Sequence, residues 1–195
     1  MKNDYLLELM RSEKTVFTIN DVALIWEETN LNLVKTRMSR YLKAGKMYSI
    51  RKGIYAKDKN YDRNELATKI YTPSYISFET VLVQSGVIFQ YYSQIFVASY
   101  LSRTLTVGEQ AYSYRKLKDS ILTNNLGVET RGNYSIASKE RAFLDVVYLN
   151  KDYHFDNLGS INWDKVYQIL PIYGGNKRMD RKIKKYQEGV RKEQG

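Results

Sequence analysis

Leu31, Val34, Met38, Tyr41 and Leu42 recur at i, i+3, i+7, i+10 and i+11. Only an α-helix gathers that spacing onto one face. At about 100° per residue the five lie within about 60° of a common direction. The segment around them, residues 32–57, carries eight basic side chains and no acidic one. Such a helix buries one side and leaves uncompensated positive charge on the other. Gly45 is placed to stop it. Beyond it, Tyr48, Ile50, Ile54 and Tyr55 flank Arg51-Lys52-Gly53, a pattern that predicts two strands joined by a tight turn.

The preceding residues predict two more helices. In the first, Asn3 or Asp4 serves as cap and Tyr5, Leu6, Leu9 and Met10 share a face. In the second, Thr18 or Asn20 is the cap, and Val22, Ala23, Leu24, Ile25 and Trp26 form the apolar side. A polar turn at Thr29–Asn30 leads to the third helix, which starts at Leu31 or Asn32 and runs to Lys43. Helix, helix, turn, helix and hairpin is the element order of a winged helix-turn-helix, expected over residues 1–58. In such a domain the third helix enters the major groove of double-stranded DNA. Asn32, Lys35, Thr36, Ser39 and Arg40 are then the base-facing candidates, since Arg and Lys match guanine and Asn matches adenine. Arg37, Lys43, Lys46, Arg51, Lys52 and Lys57 are the phosphate and wing candidates, which position the domain without reading sequence. Leu33 points outward as either a thymine-methyl or an interdomain contact. The competing reading is a solvated or protein-binding basic helix.

Charge over the whole chain agrees with a polyanionic partner. There are 31 Lys and Arg against 21 Asp and Glu, a net charge of +10, which favours nucleic acid first and an acidic membrane surface or protein second. The two ends are basic and the middle, residues 61–150, is nearly neutral with nine basic and eight acidic side chains. The polar stretch 56–64 is the expected boundary, with a second domain over 65–195. Hydrophobic residues make up 43% of the chain, ordinary for a globular protein. There are no cysteines, which excludes disulfides, thiolate metal sites and Cys nucleophiles. Asp4 and Glu8 interrupt any signal-peptide core, and no apolar run reaches the length of a membrane span. A cytoplasmic protein is expected.

The second domain reads as mixed α/β. Residues 64–71 predict a short helix. Ser77 is the expected cap of the next helix, which Gly86 ends. Residues 94–102, 104–107, 111–117 and 129–137 alternate or run apolar with β-branched and aromatic side chains and predict strands of a short antiparallel sheet. Ser138 caps a helix through Leu149, whose Arg141 and Asp145 have the i, i+4 spacing of an ordinary helix-face ion pair. Glu79 is a candidate neighbour for that pair. Tyr91, Tyr92 and Tyr100 are read as packing residues. Residues 176–193 predict a basic C-terminal helix docking through Met179, Ile183 and Tyr186, its remaining charge either solvated or on phosphates. The expected class is therefore α+β: a winged helix-turn-helix, then a mixed α/β domain with a short antiparallel sheet and a basic terminal helix.

Three segments carry a resemblance. Leu42, Gly45, Arg51, Gly53, Tyr55 and Ala56 follow the pattern L-x-x-G-x-x-x-x-x-R-x-G-x-Y-A. Residues 73–88 lead from Tyr-Ile-Ser into a helix ending at Gly86. Residues 135–149 hold Ser138, Glu140, Arg141, Ala142, Leu144 and Asp145 in a Ser-x-Glu-Arg-Ala-x-x-Asp helix. In this order they resemble the AbiEi-type antitoxins, the antitoxin half of the AbiE abortive-infection systems, over most of residues 15–150. The resemblance implies a bacterial antitoxin that represses its own operon at inverted repeats in the promoter. It also implies a nearby gene for a nucleotidyltransferase-like toxin, with direct contact between the two proteins left open.

Nothing predicts an enzyme. His154 is the one histidine and lies in a loop-like stretch. No H-E-x-x-H, Walker loop, G-x-S-x-G or G-x-G-x-x-G is present, and no metal or cofactor site is expected. The alternative from another class is a non-enzymatic interaction module. It would neutralise a toxin directly, or bind RNA through the basic N-terminal domain.

Overall fold

The computed structural model describes residues 4–193; Asn3, one of the two expected first caps, lies outside them. The class is α+β, with nine α-helices among the described residues. The chain divides into two compact units, one ending at Thr72 and the next beginning at Pro73.

In the first unit, α1 (Tyr5–Arg11) is capped by the Asp4 carboxylate, which accepts from the Leu7 N–H. A three-residue strand, β1 (Val16–Thr18), follows before α2 (Ile19–Ile25). Sequence periodicity missed β1, because so short a strand exists only through its antiparallel pairing with a later one. Thr18 and Asp21 form a reciprocal capping box at the start of α2. Helix α3 (Leu31–Lys43) begins at the Asn30 cap. It ends where Gly45 turns left-handed at φ +67°. There the Gly45 N–H donates to Leu42 O at 3.1 Å and the Lys46 N–H to Tyr41 O at 2.9 Å, the paired bonds of a Schellman stop. Strands β2 (Tyr48–Arg51) and β3 (Ile54–Ala56) complete a three-stranded antiparallel sheet of order β1-β3-β2.

The core of this unit is Leu9, Phe17, Val22, Trp26, Val34, Met38 and Met47, flanked by Tyr5, Tyr41 and Leu42. Three expected core residues are instead exposed: Met10, Leu24 (77%) and Leu31. Leu24 lies on the side of α2 opposite the buried Val22 and Trp26, and Leu31 is the first residue of its helix. Helix α4 (Arg63–Ile70) also belongs here rather than to the second unit. The Glu65 carboxylate accepts from the Thr15 N–H and hydroxyl at 2.8 and 2.7 Å. The Lys69 ammonium meets Asp21 at 2.8 Å. The polar stretch 56–64 is thus a connection inside the first unit, and the division falls after the helix.

The second unit holds β4 (Ser74–Ile76), α5 (Phe78–Gln84), β5 (Ile95–Ser99), β6 (Arg103–Val107), β7 (Gln110–Lys116), α6 (Asp119–Leu122), β8 (Val128–Arg131) and β9 (Tyr134–Ala137). Then come α7 (Lys139–Leu149), α8 (Trp163–Ile169), a 3-10 turn at Leu170–Tyr173 and α9 (Lys177–Glu193). The sheet is larger than the short antiparallel one expected. It has six strands in the order β6-β7-β5-β4-β9-β8. It is mixed, because β7 inserts between β5 and β6 and runs parallel to β5, while β4 runs parallel to β9. Reading sequential strands as neighbours misses such insertions.

Arg141 and Asp145 are not a surface pair. Both side chains are fully buried, because every residue of α7 from Glu140 to Val147 is buried inside the unit. All five guanidinium N–H groups are used. Nε reaches Asp145 Oδ1 at 3.4 Å. One terminal nitrogen donates to Leu126 O and Asn124 O at 2.7 and 3.3 Å, the other to Ile121 O and the Tyr75 hydroxyl at 2.7 and 2.9 Å. Asp145 in turn accepts from Ser77 Oγ and the Tyr173 hydroxyl at 2.7 Å each, and from Tyr75 at 3.1 Å. Ser77 therefore spends its hydroxyl here and does not cap α5. Burial, reinforced by the neighbouring carboxylate, pushes the Tyr75 and Tyr173 hydroxyls well above the usual tyrosine range, so both stay protonated as donors. Glu79 is not part of the cluster; it pairs with Arg115 at 2.8 Å. Beside it, Phe78 holds φ at +55°, a strained value for a bulky residue, where the chain turns from β4 directly into α5.

Among the described residues no helix is long and apolar enough to cross a membrane.

Candidate nucleic-acid interface

The inward side of α3 is held from three directions. Val34 and Met38 are fully buried. Trp26 lies edge-on to both Tyr5 and Tyr41, and its indole N–H donates to Tyr5 O at 2.8 Å. Arg37 stacks its guanidinium 4.1 Å from the Tyr5 ring centre and lies 3.5 Å from Glu28. These contacts fix the rotation of the helix about its axis, and with it the residues that face out.

The outward side carries Asn32, Lys35, Thr36, Ser39, Arg40 and Lys43, all exposed. At about 100° per residue they span about 140° of the circumference. The Thr36 hydroxyl donates back to Asn32 O at 2.8 Å, which leaves its lone pairs for an outside donor. Leu33 is exposed on the edge of the same face. Lys46 follows the helix stop, and Arg51 and Lys52 lead into Gly53 at φ +80°. All three side chains are exposed. Lys35, Arg40, Lys43, Lys46, Arg51 and Lys52 form no ion pair among the described residues.

Two of the expected phosphate residues are placed differently. Arg37 is half-buried against Tyr5 and Glu28. The Lys57 ammonium donates to Met10 O at 3.1 Å and to Ser12 O, neutralising carbonyls at the end of α1. Periodicity cannot register either contact, because both partners are distant in sequence. Sequence reasoning took Tyr48 only as a strand former; it also stacks on Tyr61 at 6.5 Å, with the Lys59 ammonium 6.0 Å above its ring. The polar stretch 56–64, which holds Tyr61, reads in sequence as a boundary only.

Asp21 organises the ground beneath. Burial works to raise its carboxyl, but Lys14, Lys69 and Thr18 outweigh that and hold it well below the usual carboxylate range. In the second unit, α9 turns Met179, Ile183 and Val190 inward and leaves Lys177, Arg181, Lys184, Lys185, Arg191 and Lys192 exposed. Its Arg178 donates to Tyr148 O at 2.6 Å at the end of α7. His154 is 88% exposed. Among the described residues no three His, Asp or Glu side chains converge as metal ligands would.

No protein-family model and no curated protein matches the chain.

Proposed function

We propose that the chain is a DNA-binding transcriptional autorepressor and the antitoxin of a bacterial toxin–antitoxin system, its first unit acting as a winged helix-turn-helix. The observation that carries the DNA half is the two-sidedness of α3. One face is locked by Val34, Met38, Trp26 and Tyr41, and the other offers Asn32, Lys35, Thr36, Ser39 and Arg40 to solvent. The order helix, strand, helix, helix, hairpin supports it, as does a hairpin tip of Arg51 and Lys52. A side-chain set of this kind reads guanine and adenine edges while flanking cations hold phosphates.

The antitoxin half rests on the resemblance to the AbiEi-type antitoxins. The residues that carry it in the second unit have structural work: Ser138 caps α7, and Arg141 and Asp145 centre the buried cluster. They mark a way of folding rather than a surface for the toxin. On this reading the operator is an inverted repeat upstream of the chain's own gene, and the toxin is a nucleotidyltransferase-like protein encoded nearby.

The test compares binding to a duplex from that upstream region with binding to random duplex of equal length and at equal salt. Preference for the operator by about 10³ or more is expected, and Arg40→Ala reduces the ratio. Equal affinity for both duplexes refutes the repressor. Co-expression with the neighbouring toxin gene restores growth if the antitoxin half holds; continued arrest with soluble protein present removes it.

A further inference from the structure

One end of the six-stranded sheet is β8, and its pairing with β9 determines which main-chain groups it turns outward. The Ser138 N–H donates to Gly127 O at 2.8 Å. With the register Glu129↔Ile136 and Arg131↔Tyr134, antiparallel alternation makes those two the bond-exchanging pairs. Val128 and Thr130 therefore direct N–H and C=O away from the sheet. The Val128 N–H is already taken by Asn125 O at 2.9 Å. Thr130 is exposed, and neither of its main-chain groups has an outward partner among the described residues. Glu129 and Arg131 share one face of the strand, both exposed and without an ion pair among the described residues. They border a concavity of about 340 Å³ that Lys139 and Lys165 also line.

We propose that β8 is the surface through which two copies of this chain associate, as antiparallel strands about a two-fold axis through Thr130. Opposed residues in such a pair must lie on the same face, so the axis has to pass through a residue. An axis through Glu129 sets Glu129 against its own copy, and one through Arg131 sets two arginines together. An axis through Val128 needs an N–H that Asn125 already holds. An axis through Thr130 places Glu129 against Arg131 of the other copy, twice, as complementary cross-strand pairs. It also lets the two Thr130 residues exchange both main-chain bonds. The charges that keep β8 from pairing at random thus match in one register. The opposite edge, β6, carries Arg103 as its one charge and has no acidic residue to answer it.

A strand of four residues makes a small interface, so the association is reversible and salt-sensitive. It deepens the repressor proposal, because inverted repeats present half-sites related by a two-fold. It is nevertheless measured without DNA, so its failure leaves DNA binding standing.

Sedimentation equilibrium of the full chain, from roughly 1 to 200 µM at low and high salt, tests it. A monomer–dimer equilibrium that weakens with salt is expected. Glu129→Arg raises the dissociation constant at least about tenfold, and Arg131→Glu does the same. The double variant Glu129→Arg/Arg131→Glu returns it to near the wild-type value, which a misfolded variant cannot do. A monomer throughout the range overturns the proposal, as does a dimer indifferent to either reversal or a double variant that fails to restore it.

Discussion

Two lysines that look equivalent in the sequence, Lys52 and Lys57, are expected to behave differently on DNA. Lys52 is exposed beside the hairpin tip, whereas Lys57 is bound to Met10 O and Ser12 O. Six cations on α3 and the hairpin are exposed and unpaired: Lys35, Arg40, Lys43, Lys46, Arg51 and Lys52. If each neutralises one phosphate, the slope of log K against log salt is about −5. Affinity then falls about 10³-fold between 50 and 200 mM salt. Replacing Lys52 with glutamine reduces the steepness by about 0.9. Replacing Lys57 with glutamine leaves the slope unchanged and lowers stability by about 1 kcal/mol, the worth of the lost hydrogen bonding. The assay is fluorescence anisotropy of a labelled duplex over several salt concentrations, with urea unfolding of each variant alongside. A wild-type slope shallower than about −2 refutes the reasoning. So does a Lys57→Gln slope reduced as far as that of Lys52→Gln, because the assignment of free and engaged cations would then be wrong.

Three further outcomes concern stability. Asp21 has a carboxyl held below its ordinary value of 3.8, so its contribution is present above about pH 4 and is lost as pH falls toward the folded-state value. Asp21→Asn is expected to cost about 2 kcal/mol at neutral pH and to flatten the acid limb of the stability–pH curve, measured by urea titration from pH 7 downward. Arg141→Met strands Asp145 and three carbonyls and is expected to cost about 3–5 kcal/mol, while Arg141→Met with Asp145→Leu costs less than the two single changes summed; strict additivity in urea unfolding would show that the cluster does not act as a unit. Gly127→Ala would bring a methyl to 2.8 Å from Ile169 Cδ1 at φ +75° and is expected to cost about 3 kcal/mol. Gly108→Ala, at φ +59° with open space around it, costs about 1 kcal/mol; equal melting temperatures for the two would contradict the packing argument.

Helix α3 could be read from the sequence to within a residue, because its stripe and its stop lie within the segment itself; the Asn30 cap was read only as part of a turn, and Leu31 of the stripe is exposed. The outward side chains followed from the same periodicity. What escaped reading depends on distant partners. Strand β1 needs β3, the mixed sheet needs β7 inserted beside β5, and the engagement of Arg37 and Lys57 needs α1. Arg141 and Asp145 are the instructive case. Their i, i+4 spacing suggested a solvated pair. Yet Ala142, Phe143, Leu144, Val146 and Val147 spread over about 200° of α7, wider than the apolar stripe of a surface helix, the pattern of a helix buried beyond one face. The apolar neighbours held more information than the charged spacing.

The buried arginine also imposes an order on synthesis. The first unit is complete in sequence once Thr72 has been made, so it is able to fold while the rest is still being translated. The second is not. Asp145 lacks one of its donors until Tyr173 has left the ribosome, and Arg141 draws on carbonyls that precede it by 15 to 20 residues. A nascent chain released or cleaved between residues 145 and 173 therefore carries a finished basic head and an unfinished body that proteases can enter. The cell would meet such fragments as candidate DNA binders without a stable second unit.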